Sequence, residues 1–137
     1  MIMTHQAGLS LEFIHFPQIT REQLKAYAEA SGDFNPIHLD EEVAKKAGLP
    51  GIIAHGMLIA GIMADRANTY VEQDHSLKGY KLVQFQTRFK AMTHLGDIPS
   101  VGGSIREVSH DGFVLDLQAR NQKGEITTTG IARFKNH

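Results

Sequence analysis

From Met57 to Ala64 every residue is apolar or glycine (MLIAGIMA), and no other stretch limits the fold of this chain so narrowly. A helix of that composition has no polar side to turn to water, so it must be buried on nearly all sides. The pattern turns polar after Asp65, which predicts a helix from near Gly56 to about Val71 with its first half buried and its second half emerging. The apolar run Ile52–Ala64 is interrupted by His55 and is too short to span a bilayer, so the cover has to be protein. Gly61 inside the helix costs about 1 kcal/mol relative to alanine, which predicts a neighbour packed closely there.

That cover is legible downstream. From Leu77 onward the hydrophobic period changes from helical to two, and three or four antiparallel strands follow one another. Val83, Phe85, Thr87 and Phe89 are expected on one face. Phe113, Leu115, Leu117 and Ala119 oppose Asp116, Gln118 and Arg120 in a later strand, and a last strand over 125–135 turns Ile126, Ala132 and Phe134 inward. Gly96-Asp97, Asp111-Gly112 and Lys123-Gly124 supply the turns. A meander of strands and one mostly apolar helix predict an α+β fold in which the sheet curls around the helix, because only wrapping covers both the helix and the inner strand faces.

Upstream, Leu9–Phe16 reads as a first strand with Leu11, Phe13 and Phe16 as its apolar positions, after a loose start over residues 1–8. Pro17 ends it. Thr20, with Gln23 three residues on, is a capping box for a helix that puts Leu24, Tyr27 and Ala28 on one face and stops by Gly32. Asp40 caps a short surface helix, EEVAKKA, acidic in its first turn and basic in its last, with Gly48 as its stop. With 137 residues and no repeat, linker or low-complexity tract, one domain over 1–137 is expected.

Composition removes several classes of function. Fourteen Lys plus Arg against fifteen Asp plus Glu, a net charge of −1, leave no basic block to meet a nucleic acid. There is no cysteine, hence no disulfide framework, thiolate metal site or thiol catalysis. The start MIMTHQAGLS lacks the basic and apolar regions of a leader, so a soluble cytoplasmic protein is expected.

The groups able to do chemistry gather before the apolar helix. Asp33 and His38 stand on a loop broken by Pro36, and a carboxylate beside an imidazole can trade protons near neutrality. Asp-x-Asn-Pro is equally good turn chemistry by itself, and Asn35 alone reads as an Asx-turn residue. Phe34 reads as packing. Further on, His55-Gly56 opens the apolar helix, and a residue without a side chain lets a ligand oxygen approach the free N–H groups of a helix start, half of an oxyanion hole; Gly56 can equally serve a tight turn into a buried helix. His38, His55 and Asp33 are also candidate metal ligands, yet no H-x-x-x-H spacing supports them and no metal is expected. Arg88 and Lys90 can reach the phosphates of a substrate carrier, although strand charges are commonly solvated faces.

These residues carry a resemblance. Tyr27-x-x-x-Ser31-Gly32-Asp33-Phe34-Asn35-Pro36-Ile37-His38 with Ala44, then Ala54-His55-Gly56-Met57, Arg88-Phe89, Gly96-Asp97, Asn121-Gln122-x-Gly124-Glu125 and Gly130-x-Ala132 resemble the MaoC-like (R)-specific enoyl-CoA hydratases and 3-hydroxyacyl-CoA dehydratases. The resemblance implies a hot-dog fold, a homodimer or dimer of dimers, and reversible addition of water to trans-2-enoyl thioesters of coenzyme A or acyl carrier protein. It further implies that Asp33 and His38 grip one water, that Asn35 orients the water or the loop, and that the Gly56 N–H holds the thioester oxygen. His55, Met57, Arg88 and Lys90 are the expected substrate contacts. No metal or redox cofactor is implied, since coenzyme A enters as part of the substrate. In some family members, double-hot-dog enzymes and heterodimers, only one half keeps the Asp and His, and this chain has both. Two other classes remain as alternatives: a hot-dog thioesterase, and an acyl-CoA binder without turnover.

Overall fold

A computed structural model describes residues 6–136, and residues 1–5, where most of the expected loose start falls, lie outside it. Residues 6–8 lead through a turn, with the Gly8 N–H on the Ile105 carbonyl at 2.9 Å. The elements are β1 (Ser10–His15), α1 (Arg21–Ser31), α2 (Glu41–Lys46), α3 (Gly56–Glu72), β2 (Tyr80–Phe89), β3 (Ser100–Val108), β4 (Gly112–Arg120) and β5 (Ile126–Asn136). The expected caps are in place. Thr20 accepts the Gln23 N–H at 3.2 Å, Asp40 accepts the Val43 N–H at 3.1 Å, and Gly32 closes α1 at φ 80°, a left-handed geometry that glycine takes without strain.

The strands form one antiparallel sheet in the order β1-β3-β4-β5-β2. It wraps α3, which touches β2, β3, β4 and β5. Ile59, Met63 and Ala67 of α3 meet Val101, Leu115, Leu117, Ala132 and Phe134 in the core. Burial on α3 follows a stripe from Ile59 to Ala67 rather than the whole of its first half: Ile59, Ala60, Met63, Arg66 and Ala67 are buried, while Met57, Gly61 and Asp65 are open. Gly61 therefore has no close neighbour among the described residues, as a Cβ there would meet none of their atoms within 4 Å.

In β4 the alternation runs as expected, with Phe113, Leu115, Leu117 and Ala119 all buried. In β2 a bulge between Leu82 and Gln84 shifts the register against β5, and one extra residue reverses the facing of what precedes it. Leu82 and Phe85 reach the core while Val83 is exposed. Ile126 is exposed too, and Thr128, Ala132 and Phe134 take the inward places of β5.

A second bulge, between Leu11 and Ile14 where β1 pairs with β3, is filled by a charged side chain. Arg66 of α3, buried, donates through Nε to the Val101 carbonyl at 3.3 Å and through Nη2 to the Glu12 carbonyl at 2.9 Å. Its Nη1 has no hydrogen-bond partner among the described residues. Burial lowers its pKa, opposed by the nearby Glu12 charge.

Candidate active site

The loop after α1 is built by alternate side chains. The Ser31 hydroxyl accepts the Asp33 N–H at 3.1 Å, Asp33 Oδ1 accepts the Asn35 N–H at 3.1 Å, and Asn35 Oδ1 accepts the Ile37 N–H at 3.2 Å. Each short polar side chain ties the backbone two residues ahead, which is the turn chemistry of its residue type. Pro36–His38 then forms a single 3-10 turn. Asp33 and Asn35 are thus turn residues, and Asp33 keeps its second carboxylate oxygen for other work. Phe34 is exposed at the lip of a neighbouring hollow rather than packed.

His38, 8% exposed, places Nδ1 2.8 Å from the Ile53 carbonyl. A carbonyl only accepts, so Nδ1 carries the proton and a neutral His38 presents Nε2 as a bare lone pair. His55 lies beneath it, the rings stacked with centroids 3.9 Å apart at 27°, and Tyr27 tilts against His55 at 4.7 Å. By the same logic His55 Nε2 donates to the Asp33 carbonyl at 3.0 Å, leaving Nδ1 buried and unpartnered among the described residues. At 2% exposure His55 supports His38 and Asp33 and stands behind the residues that line the hollow at Gly56.

Donor atoms of Asp33, His38 and His55 lie within 4.8 Å of one another. That spacing admits a small molecule such as water between the carboxylate and an imidazole. Each ring has one nitrogen bonded to a carbonyl and one left over, so each imidazole keeps a lone pair near the carboxylate.

His38 and Gly56 line one hollow of ≈ 180 Å³, closed by Ile59, Phe89, Thr93 and Thr128 among others. Gly56 is the first residue of α3, whose start has no side-chain cap, so its leading N–H groups are not claimed by a side chain. Gly56 also has a packing reason to be glycine: a Cβ would lie 3.1 Å from Phe89 Cε1. Met57, 62% exposed, sits on the open side of α3 and not in the lining. Arg88 and Lys90 are not brought to this hollow. They flank Phe89 in the chain, face the other way, and line a depression on the outer side of the sheet with Arg106 and Asp116. Phe89, Thr93 and Thr128 were missed from sequence. Phe89 and Thr128 read there as sheet residues, and only the pairing of β2 with β5 sets them opposite each other.

The family profile for the MaoC like domain matches residues 5–111, and the chain belongs to that family. It is 34% identical over 112 residues to fatty acid synthase 2 of Mycosarcoma maydis, covering 80% of this chain and 3% of that protein. It is 34% identical over 117 residues to the mitochondrial 3-hydroxyacyl-[acyl-carrier-protein] dehydratase of Arabidopsis thaliana, covering 85% and 60%. The (R)-specific enoyl-CoA hydratase of Aeromonas caviae is 29% identical over 115 residues, with 82% and 83% covered. The chain thus spans less than two thirds of the first two relatives. In solved structures the A. caviae (R)-hydratase superposes with a TM-score of 0.80 at 24% identity, over 99% of this chain and 100% of that one. A chain of the ChsH1-ChsH2 complex from Mycobacterium tuberculosis gives 0.83 at 16%, over 98% and 100%. The wrapped sheet is a hot-dog fold.

Proposed function

We propose that this protein reversibly adds water across the C2=C3 bond of a trans-2-enoyl thioester, carried by coenzyme A or acyl carrier protein, to give the (R)-3-hydroxyacyl thioester. The observation that carries this reading is the pairing of His38, its Nε2 left bare by the Nδ1 bond to Ile53, with the Asp33 carboxylate beside an uncapped helix start. The names of the Arabidopsis and Aeromonas relatives support it.

As water oxygen attacks C3, charge moves through C2 to the thioester oxygen, and the Gly56 N–H is set to receive it; one donor of this kind is worth about 3 kcal/mol of transition-state stabilisation. One of the His38–Asp33 pair takes the water proton and the other delivers a proton to C2. Both stand on one side of the acyl chain, which gives syn addition. Asn35 holds the loop that carries them. The reaction so drawn asks for no metal, nicotinamide or flavin.

A homodimer belongs to the same proposal. The hollow is smaller than the ~300–1,000 Å³ of small-molecule sites, β2 is a sheet edge, and Met57, Phe89 and Met92 are exposed. A second copy covers that edge and completes the walls. Sedimentation at micromolar concentration checks it, and a monomer alone, or a requirement for an unlike chain, would refute it.

The deciding experiment follows the enoyl absorbance of crotonyl-CoA and of longer enoyl thioesters, with a thiol-reactive dye in parallel and chiral analysis of the product. Hydration without thiol release is expected. Thiol release instead would make the protein a thioesterase, and binding without turnover would make it an acyl-CoA binder.

A further inference from the structure

Two motifs, Gly96-Asp97 and the turn from Asn121 to Glu125, take no part in the reaction as drawn, yet they converge on one buried carboxylate. Asp97 is 7% exposed. Its Oδ2 accepts the His94 N–H at 2.8 Å, and its Oδ1 accepts from Gln122 Nε2 at 2.9 Å. Gln122 Oε1 in turn accepts the Ile98 N–H at 2.9 Å. These bonds, with the Asp97 N–H on the His94 carbonyl at 3.0 Å, fix the turn from His94 to Asp97 against the β4–β5 hairpin.

The same turn grips the chain that leads into α3. The Ala54 N–H donates to the Thr93 carbonyl at 2.8 Å and the Leu95 N–H to the Ile52 carbonyl at 3.1 Å, and Ile53 opposes His94 in an antiparallel bridge. The Ile53 carbonyl and the Ala54 N–H belong to one planar peptide unit. Holding that N–H on Thr93 aims the carbonyl the opposite way, at His38 Nδ1, 2.8 Å distant. The preceding peptide is clamped likewise, its carbonyl by Leu95 and its N–H by the Ile37 carbonyl at 3.3 Å. Which imidazole nitrogen holds the proton is decided by what the other one bonds. The acceptor that makes this choice for His38 is set by the turn, which the Asp97 side chain holds together with two backbone bonds to Ile19, the Gly96 N–H on the Ile19 carbonyl and the Ile19 N–H on the Asp97 carbonyl, both 2.9 Å.

We propose that Asp97, clasped by Gln122, is a positioning residue that fixes the Nδ1–H tautomer of His38 and so keeps Nε2 bare for proton transfer. This rests on the reading of His38 as the acid–base group. Without the clasp the peptide at Ile53 turns, the proton divides between the two nitrogens, and only part of the population can accept a proton at Nε2.

The test uses Asp97→Asn, Gln122→Glu and the two combined, in protein with 15N-labelled histidine, the His38 signals assigned by their loss in His38→Asn. Asp97→Asn sets one amide donor against another. It is expected to lower kcat on crotonyl-CoA by about 10–100-fold with KM unchanged, and to move His38 from Nδ1–H to a mixture of tautomers. The combined exchange restores a donor facing an acceptor, with the charge moved across the same bond, and is expected to recover both kcat and tautomer. Should Asp97→Asn not fold, Gln122→Leu at its exposed position removes the clasp instead. A wild-type His38 found as the Nε2–H tautomer overturns the proposal; so does a loss of kcat with the tautomer unmoved, or an exchange that recovers neither. Absence of hydration by the wild type would overturn the functional reading instead, while the ring nitrogens would still report on the clasp.

Discussion

Asp33→Asn and His38→Asn, made singly and together, separate chemistry from architecture at the proposed site. Asp33 Oδ1 accepts the Asn35 N–H, and an amide oxygen serves as well, so the turn persists; at an exposed position the stability change stays within about 0.5 kcal/mol. At His38 asparagine is the better probe than glutamine, because its amide nitrogen falls near Nδ1 and keeps a donor for the buried Ile53 carbonyl. Left unpaired, that carbonyl would cost about 1–3 kcal/mol. Proton transfer by each group contributes about 10²–10⁴-fold, equal to roughly 2.7–5.4 kcal/mol of barrier at 1.36 kcal/mol per decade. If both groups handle one water, the double variant falls to about the level of the worse single one, not to the product of the two, because residues acting as a unit are not additive. The assay is hydration of crotonyl-CoA per folded molecule, with Tm measured on the same samples. Undiminished hydration by Asp33→Asn refutes the mechanism. A lowered Tm with full activity per folded molecule would leave Asp33 and His38 as turn residues only.

Gly56→Pro suits the first helical turn but deletes the N–H assigned to the thioester oxygen, so turnover should fall about 10²–10³-fold, while Gly56→Ala, which keeps the N–H and displaces only the half-exposed Phe89 ring, should retain most of it; equal losses would locate the oxygen elsewhere. Arg66→Met strands the Glu12 and Val101 carbonyls and should lower unfolding stability by about 2–4 kcal/mol, read from urea transitions, with wild-type stability refuting the plug. Tyr70 has its phenol pushed up to about 12 by burial and then by the Asp74 charge. Its neutral form is favoured by the fold, so that contribution is whole below pH ~10 and is lost as pH rises through 12; the phenolate signal removed by Tyr70→Phe should be the part that develops near pH 12, and loss of signal near pH ~10 instead would contradict this.

Local chemistry was readable wherever it depended on near neighbours in the chain. Thr20, Asp40 and Gly32 cap as their types require, and the pairing of Asp33 with His38 followed from spacing and one proline. Features made by pairing across the sheet were not readable. The bulge after Leu82 turned Val83 out, since a strand's own period carries no sign of an extra residue opposite its partner. The apolar helix was expected to be sealed, but burial records which neighbours arrive, and none among the described residues arrives at Gly61. The stack of His55 under His38 depends on a loop and a helix start meeting in space. An arginine within a polar-looking helix end gave no sign that two strand carbonyls awaited it.

The strand order has a bearing on biosynthesis. The site segment, residues 31–56, is made early, within the connection between the two edge strands β1 and β2, whereas its supports are made late. Thr93 and Leu95, which clamp the helix start, and β5, which lies between β2 and β4 and against α3, are still untranslated when Asp33 and His38 leave the ribosome. An apolar helix therefore waits in the nascent chain until residues 126–136 close the sheet over it, and a chain of mostly non-local contacts folds late and slowly. Translation arrested before β5 should yield a species bound by chaperones, with neither the tautomer-setting peptide nor the hollow beside Gly56 yet formed.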